Sequence, residues 1–231
     1  QNKKRYVRLE NDEITYRRSI MKVLTKKRKI TKYIVMTAVF VALGYILSFL
    51  EIPMPAPIAF LKLDFSNVMT MLCGFTLGPV AMVVCEGLKQ LLWFFTHSTT
   101  GGVGEIGNFI MTVSYAIIPS IMYRFKKGRK NVVQWLCVGC LMQVVSALIV
   151  NRFITFPLYM GESAAAVFNS VLPYMIVFNI GKALLVSAIT FFLYKSLSRS
   201  LKYIFGTEES EITEENVISE EEQGENIDRK D

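Results

Sequence analysis

The chain has few charged side chains, and most of them lie at its two ends. Only 19% of its 231 residues are charged, whereas 52% are apolar and the mean hydropathy is +0.37. Of the 26 Lys and Arg residues, 12 lie in residues 1–32, and 11 of the 19 Asp and Glu residues lie in residues 206–231. The core between them is too poor in charge for a globule in water. The composition therefore predicts a membrane protein.

Residues that build catalytic or metal sites are also scarce. There is one histidine, His97, and the four cysteines are scattered apart from the pair Cys137 and Cys140, which falls inside a predicted span. No P-loop, HExxH or GxSxG pattern occurs, so we recognise no ATPase, zinc protease or serine hydrolase. The run Gly102–Gly107 matches GxGxxG but lacks the preceding strand and the later acidic residue of a dinucleotide site. We expect no catalytic cofactor, no enzyme activity and, without a regular basic and aromatic pattern, no nucleic acid.

Six stretches are apolar enough to be helices in a membrane. A spanning helix needs roughly 20 mostly apolar residues, and one of the six is short for this purpose. The stretches are Tyr33–Leu50, Phe65–Leu77, Pro79–Phe95, Ile106–Tyr123, Val132–Val150 and Val171–Tyr194. Cytoplasmic loops collect Lys and Arg, and six crossings place both the basic arm and the basic cluster at 124–130 inside. We therefore predict an all-α integral membrane bundle of six transmembrane helices with both termini cytoplasmic.

The predicted organisation has three parts. Residues 1–32 form a basic cytoplasmic arm beside the lipid bilayer, and 1–20 need not be native because the chain begins with Gln1 and Met21 would serve as a start. Residues 33–205 form the membrane domain. Residues 206–231 form an acidic tail that is too polar to bury, and we expect it to be disordered.

Polar side chains inside the predicted spans are candidates for a binding site, because polar groups at membrane depth are costly. Lys182 falls near the middle of the last span, and Asn179 lies three residues earlier on the same face. Glu86 and Lys89 have the same spacing on the third helix, so we expect them to neutralise each other.

Further polar residues are expected on the outer side, where the fourth helix begins and the fifth ends. A glycine-rich run at a helix start leaves backbone N–H groups accessible to a ligand. The proline-rich loop 51–63 predicts a stiff lid, and Asp64 after it either caps the second helix or binds a ligand. The candidate binding residues are Glu105, Asn151, Asn179, Lys182, Asp64, Thr100, Gly101, Gly102 and Asn108. Together they predict a pocket that opens outward and suits a flat heteroaromatic solute with hydroxyl groups.

Two pairs of small residues lie at the spacing that lets helices approach closely in lipid. Ala38 and Ala42 form such a pair on the first span, and Gly74 and Gly78 form another on the second. Packing within the bundle and contact with a partner both explain the first pair, whereas packing is favoured for the second.

Four motifs occur together in the core. They are FLKLDFSN at 60–67, GFTLGP at 74–79, TTGGVGE at 99–105 followed by Asn108 and Phe109, and NIGK at 179–182. Taken together, they resemble the riboflavin-specific substrate-binding (S) component of bacterial energy-coupling factor (ECF) vitamin transporters. The resemblance extends from about Tyr33 to Phe205.

This resemblance implies a multi-pass protein of the bacterial cell membrane that captures riboflavin from outside. It implies delivery inward, with the S component tilting in the membrane, when it is coupled to a transmembrane coupling (T) subunit and two cytoplasmic ATPases. The family's riboflavin contacts correspond to Glu105 and Asn151 for the ribityl chain and to Asn179 and Lys182 for the isoalloxazine edge. Ala38 and Ala42 match the AxxxA pattern of the family's contact with the T subunit.

Two alternatives remain at this point. One is an S component for another vitamin, such as thiamine. The other is a self-sufficient carrier coupled to an ion gradient, although a proton relay would need more facing carboxylates than Glu86 and Glu105 provide. A membrane enzyme ranks third, because no catalytic constellation is recognisable.

Overall fold

The structure is a bundle of long helices. It is a computed structural model that describes residues 2–58, 60–126 and 128–228, with the side chains of most residues from 16 to 196. The helices are Asn2–Ser48 (α1), Asn67–Leu77 (α2), Pro79–His97 (α3), Val103–Phe125 (α4), Arg129–Val150 (α5), Phe156–Met160 (α6) and Ala164–Asp228 (α7). A π-helix, Asn151–Thr155, joins α5 to α6, and a 3₁₀ turn, Gly161–Ser163, precedes α7.

A short β-hairpin stands where the sequence predicts a stiff loop. Strands Ile52–Pro53 (β1) and Lys62–Leu63 (β2) pair antiparallel, with Ile52 opposite Leu63. Its tip packs into the protein, since Ile58 is buried in an apolar cluster with Phe156 and Phe168. The segment 51–63 is therefore anchored at its tip as well as at its ends.

The mostly helical, apolar architecture agrees with the predicted all-α membrane protein. By length and hydropathy, three stretches of the described residues qualify as membrane spans: Lys26–Ser48, Val103–Phe125 and Arg129–Ser196, the last containing α5 and the start of α7. Helix α2 is short, and α3 contains buried charges. The backbone of α7 is helical to Asp228, while side chains beyond Ser196 lie outside the described residues, as does Lys127 of the basic cluster.

Helices α2 and α4 approach very closely at Gly74. A β-carbon on Gly74 would lie 2.9 Å from Cβ of Ser120 on α4, and closer still to its hydroxyl oxygen. Gly74 and Gly78 are both buried. The structure thus supports packing within the bundle as the role of Gly74. Gly78 follows α2 with a φ of +101°, the left-handed geometry of a turn that favours glycine.

We expect Gly74→Ala to destabilise the protein by about 1–3 kcal/mol, because a methyl group there overpacks the α2–α4 contact. The measurement is thermal unfolding of the purified protein in detergent. Gly181→Ala is the matched control, since a β-carbon at Gly181 meets nothing within 4 Å. Equal melting temperatures for the two variants would contradict the close contact.

Candidate functional site

A cavity of about 420 Å³ lies between the hairpin and the helices α3, α4, α5 and α7. Its lining mixes charged and amide side chains with large apolar ones. The polar lining residues are Ser48, Glu51, Lys62, Asp64, Gln90, His97, Thr99, Thr100, Glu105, Asn108, Gln143, Asn151, Thr155, Tyr159, Asn179 and Lys182. The apolar lining residues are Phe60, Leu61, Trp93, Met111, Phe156, Met160 and Phe178. Such a lining gives a ligand apolar contact area and a few groups that fix its orientation.

Lys182 brings a cation into this cavity. Its side chain is only 8% exposed, and within the described residues it has no hydrogen-bond or ion-pair partner. Asn179, one turn earlier on α7, is 3% exposed and donates its side-chain N–H to the carbonyl of Met175 at 2.8 Å. Because that donor is used within the helix, the carbonyl oxygen of the Asn179 amide is left to accept. The two residues therefore offer a donor and an acceptor one turn apart.

Glu105 lies in the first turn of α4, where the positive end of the helix dipole favours a carboxylate. One carboxylate oxygen, Oε2, accepts a hydrogen bond from the Thr100 hydroxyl at 2.6 Å. That hydroxyl also accepts from the backbone N–H of Gly104 at 3.2 Å, and the Tyr159 hydroxyl donates to the Thr100 carbonyl at 3.3 Å. These bonds hold Thr100 in place and leave the second carboxylate oxygen of Glu105 for a ligand.

Asn151 is the first residue of the π-helix that follows α5. It is buried, and its side-chain N–H donates to the carbonyl of Ala147 at 2.7 Å. Short π-helical segments frequently occur at functional sites, since the extra residue in the turn redirects the side chains. As with Asn179, the amide oxygen of Asn151 remains available as an acceptor.

The hairpin side of the cavity is lined by charged groups that already have partners. Lys62 of β2 forms an ion pair with Glu51. Asp64 accepts hydrogen bonds from the backbone N–H of Ser66 at 2.7 Å and from its hydroxyl at 2.6 Å. Asp64 therefore orders the turn before α2 but does not cap the helix, since its partner Ser66 is itself the N-cap residue; it also lines the cavity.

A fully buried ionic network lies next to the cavity. Glu86 is 0% and Lys89 is 1% exposed, and their charged groups are 2.8 Å apart, which confirms the predicted pairing. Glu86 also accepts from the Thr70 hydroxyl at 2.6 Å and from Gln90 Nε2 at 2.7 Å. Since Gln90 lines the cavity, it connects the network with the site.

The wall formed by α3 is aromatic. The rings of Trp93 and His97 are stacked with centroids 5.0 Å apart, and Phe49 meets the His97 ring edge-on at 4.7 Å. Trp93 and His97 both line the cavity. The sequence analysis did not include His97 among the candidate binding residues, whereas the structure places it against the cavity.

Seven of the nine predicted binding residues line this one cavity, and two do not. Gly101 and Gly102 do not line the cavity; they form the turn before α4, with φ angles of +60° and +95°. Gly104 and Gly107 line the cavity instead. The seven are Glu105, Asn151, Asn179, Lys182, Asp64, Thr100 and Asn108. Ala38 and Ala42 are exposed on the outer face of α1, away from the cavity.

Gln90 and Gln143 are polar lining residues that the sequence analysis missed. Both occur inside apolar helices, and Gln143 is 3% exposed. An amide within an apolar span was the available signal, because an amide also carries a cost at membrane depth.

Comparison with known proteins gives similarities of one kind. The family model described as "ECF transporter, substrate-specific component" matches residues 32–194. The riboflavin transporter RibU of Staphylococcus aureus is 30% identical over 178 residues, which covers 75% of this chain and 94% of that protein. The riboflavin transporter FmnP of Bacillus subtilis is 24% identical over 170 residues, which covers 68% and 87%. The solved structure of the S component of a bacterial ECF transporter aligns with a TM-score of 0.65 and 28% identity, covering 74% of this chain and 98% of that one.

Proposed function

Because the chain belongs to the substrate-specific components of ECF transporters, we propose that it binds riboflavin in the cavity and delivers it across the membrane. It is a multi-pass protein of the bacterial cell membrane. Its relatives RibU and FmnP are riboflavin transporters, which supports riboflavin as the ligand. The chemistry of the cavity supports the same choice.

The observation that carries the proposal is the buried cation of Lys182. An ammonium group within a membrane protein is costly unless another group pairs with it. Among the described residues Lys182 forms no ion pair or hydrogen bond, and the Asp64 carboxylate acts on it only electrostatically, without contact. The pyrimidine-like edge of a flavin has an N–H between two carbonyl groups. Lys182 donates to one carbonyl, and the Asn179 oxygen accepts from the N–H, so the ligand supplies what the site lacks.

The ribityl chain occupies the part of the cavity around Glu105 and Asn151. Both side chains present oxygen acceptors, and the Glu105 carboxylate forms charge-assisted bonds to hydroxyl groups. Thr100 and Asn108 lie beside them. The flat ring system is covered by the aromatic and apolar walls. A cavity of about 420 Å³ falls within the usual range for a small-molecule site.

In the membrane, the proposed arrangement has six crossings and cytoplasmic termini, with the hairpin and the cavity mouth outside. The basic residues at the end of α4, after it and at the start of α5 then face the cytoplasm, as the positive-inside rule favours; they are Arg124, Lys126, Arg129 and Lys130. Helix α2 crosses despite its short length because the bilayer thins locally around a short apolar helix. The hairpin closes over the bound vitamin from outside.

Transport against a gradient needs an energy source, and this sequence has no P-loop with which to hydrolyse ATP. We propose that a transmembrane T subunit and two cytoplasmic ATPases supply it, and that Ala38 and Ala42 contact the T subunit. Both alanines are exposed on α1, so their small size is not explained by packing within this chain. A close helix–helix contact with another protein explains it.

The experiment that tests this function is riboflavin uptake by proteoliposomes. We expect vesicles with this chain, the T subunit and both ATPases to accumulate riboflavin only when ATP is supplied on the cytoplasmic side. Vesicles with this chain alone should accumulate none. Ionophore-sensitive uptake by the chain alone would instead identify a self-sufficient carrier.

Ala38→Leu should leave riboflavin binding unchanged and reduce ATP-dependent uptake by the assembled transporter at least about tenfold, because a bulky side chain separates helices that meet through small residues. Val39→Leu is the control, since it enlarges an exposed neighbour about 100° around the same helix. Full uptake by the Ala38→Leu transporter would remove this interface from the proposal.

A further inference from the structure

Gln143 of α5 has a side-chain oxygen that is enclosed by protein and lacks a hydrogen-bond partner within the described residues. Three other enclosed polar atoms share that property: the hydroxyl oxygens of Ser120 and Thr190 and the indole nitrogen of Trp135. Of these four residues, Gln143 alone lines the cavity. A buried polar atom without a partner is destabilising, and native proteins satisfy most such atoms. Because Gln143 lines the cavity, a turn of its amide brings this oxygen within reach of a bound ligand.

The depth of Gln143 follows from the contacts between α5 and α7. The Cys140 sulfur on α5 lies 3.4 Å from the Ser187 hydroxyl on α7, so these two residues mark one level of the bundle. The two helices run in opposite directions, since Leu148 near the end of α5 packs against the cluster that contains Phe168 and Val171 near the start of α7. With a rise of about 1.5 Å per residue, Gln143 lies about 4.5 Å and Lys182 about 7.5 Å from that level, both towards the hairpin.

Gln143 and Lys182 therefore line the cavity from two helices, at levels that differ by about 3 Å. The geometry points to Gln143 as a further ligand-contacting residue, whose amide pairs with the polar edge of the flavin ring beside Lys182. This inference rests on the proposed function, because it takes the vitamin and its orientation from there.

The chemistry of an amide suits that position. The flavin edge alternates carbonyl groups with an N–H, and an amide carries one acceptor and two donors. Rotation about the last side-chain bond lets Gln143 present its oxygen or its nitrogen to the ring. Together, Lys182, Asn179 and Gln143 form hydrogen bonds that are complementary to the donors and acceptors along the flavin edge. Apolar side chains at these positions would not distinguish this edge from another. Gln143 is thus a specificity residue for the ring and not for the ribityl chain.

The test compares Gln143→Met with the wild-type full-length protein in detergent. Methionine has nearly the same length as glutamine but no hydrogen-bonding group. We expect the Kd for riboflavin to rise about 5- to 30-fold, the usual effect of an unpaired ligand group. The Kd for lumiflavin, which has the same ring and a methyl group in place of the ribityl chain, should rise by a similar factor.

A melting experiment without ligand separates contact from a structural role. Methionine removes the unsatisfied amide, so the ligand-free variant should melt at the same or a higher temperature than wild type. Gln134→Met, at an exposed position of α5, is the control and should change neither property.

A riboflavin Kd for Gln143→Met within twofold of wild type would overturn this inference, and so would a lower melting temperature without ligand. An unchanged Kd for lumiflavin would also overturn it, because it would remove the contact from the ring. Failure of the wild-type protein to bind riboflavin would instead contradict the proposed function itself.

Discussion

Lys182→Met is expected to weaken riboflavin binding by about 1.5–3 kcal/mol, or roughly 10- to 150-fold in Kd. Within the described residues, the Lys182 ammonium group lies buried at the cavity without an ion-pair or hydrogen-bond partner. Methionine cannot donate a hydrogen bond, so the variant loses the bond to the ligand carbonyl. Methionine fills similar space without charge, so the shape of the cavity is retained. The measurement is equilibrium titration of the purified protein, followed by quenching of flavin fluorescence.

Lys195→Met is the control for this titration. Lys195 lies on the same helix but is exposed and far from the cavity, so its replacement should leave the Kd unchanged. A second control is the melting temperature without ligand, which should not fall in Lys182→Met because an unpaired buried charge is removed. If both variants bind riboflavin with wild-type affinity, Lys182 does not contact the ring.

Lys89→Met is expected to destabilise the protein by about 3–5 kcal/mol, because it leaves the carboxylate of Glu86 buried without its cation. Lys89 also donates to the hydroxyl of Ser66 at 2.7 Å and to the side-chain oxygen of Asn67 at 3.2 Å. The variant therefore loses two hydrogen bonds that join α3 to the start of α2, as well as the ion pair within α3. Thermal unfolding in detergent, with the ligand-free protein, measures the loss.

The double variant Glu86→Gln/Lys89→Met provides the matched comparison. It removes both charges, and the neutral amide at position 86 can still accept from Thr70. Much of the lost stability should therefore return, since a buried ion pair replaced on both sides often costs little. A double variant less stable than Lys89→Met alone would show that the unpaired carboxylate is not the cause.

The sequence predicted the helices well where loop residues mark their ends. Gly78 and Pro79 end α2 and begin α3 as expected, and Glu105 lies in the first turn of α4. Helix termini of this kind depend on local backbone geometry, which a few residues determine. The hairpin was not predicted, because strands of two residues leave no period in the sequence.

The candidate site was predictable to the extent that ionisable and Asn side chains define it. Lys182, Asn179 and Glu105 have few alternatives in an apolar span, and all three line the cavity. Gln90 and Gln143 were missed because α3 and α5 are apolar around most of their circumference. In a soluble helix, an apolar face indicates the interior, but in a membrane the lipid-facing side is apolar too. Which amides face the cavity is therefore decided by packing between helices.

Gly101 and Gly102 show a second limit of prediction from the sequence. A glycine-rich run before a helix favours either a ligand contact or a tight turn, and both need a backbone without side chains. Their positive φ angles fit the turn between α3 and α4, while Gly104, two residues further along the chain, lines the cavity. The glycine-rich motif therefore adjoins the cavity, and the structure shows which of its residues line it.

The most direct measurement of the central claim is calorimetric titration of the purified full-length protein with riboflavin and, separately, with thiamine. We predict saturable binding of one riboflavin per chain, with a favourable enthalpy from the polar contacts, and no heat of binding from thiamine. Saturable binding of thiamine, or no heat with excess riboflavin in protein shown to be folded, would contradict it.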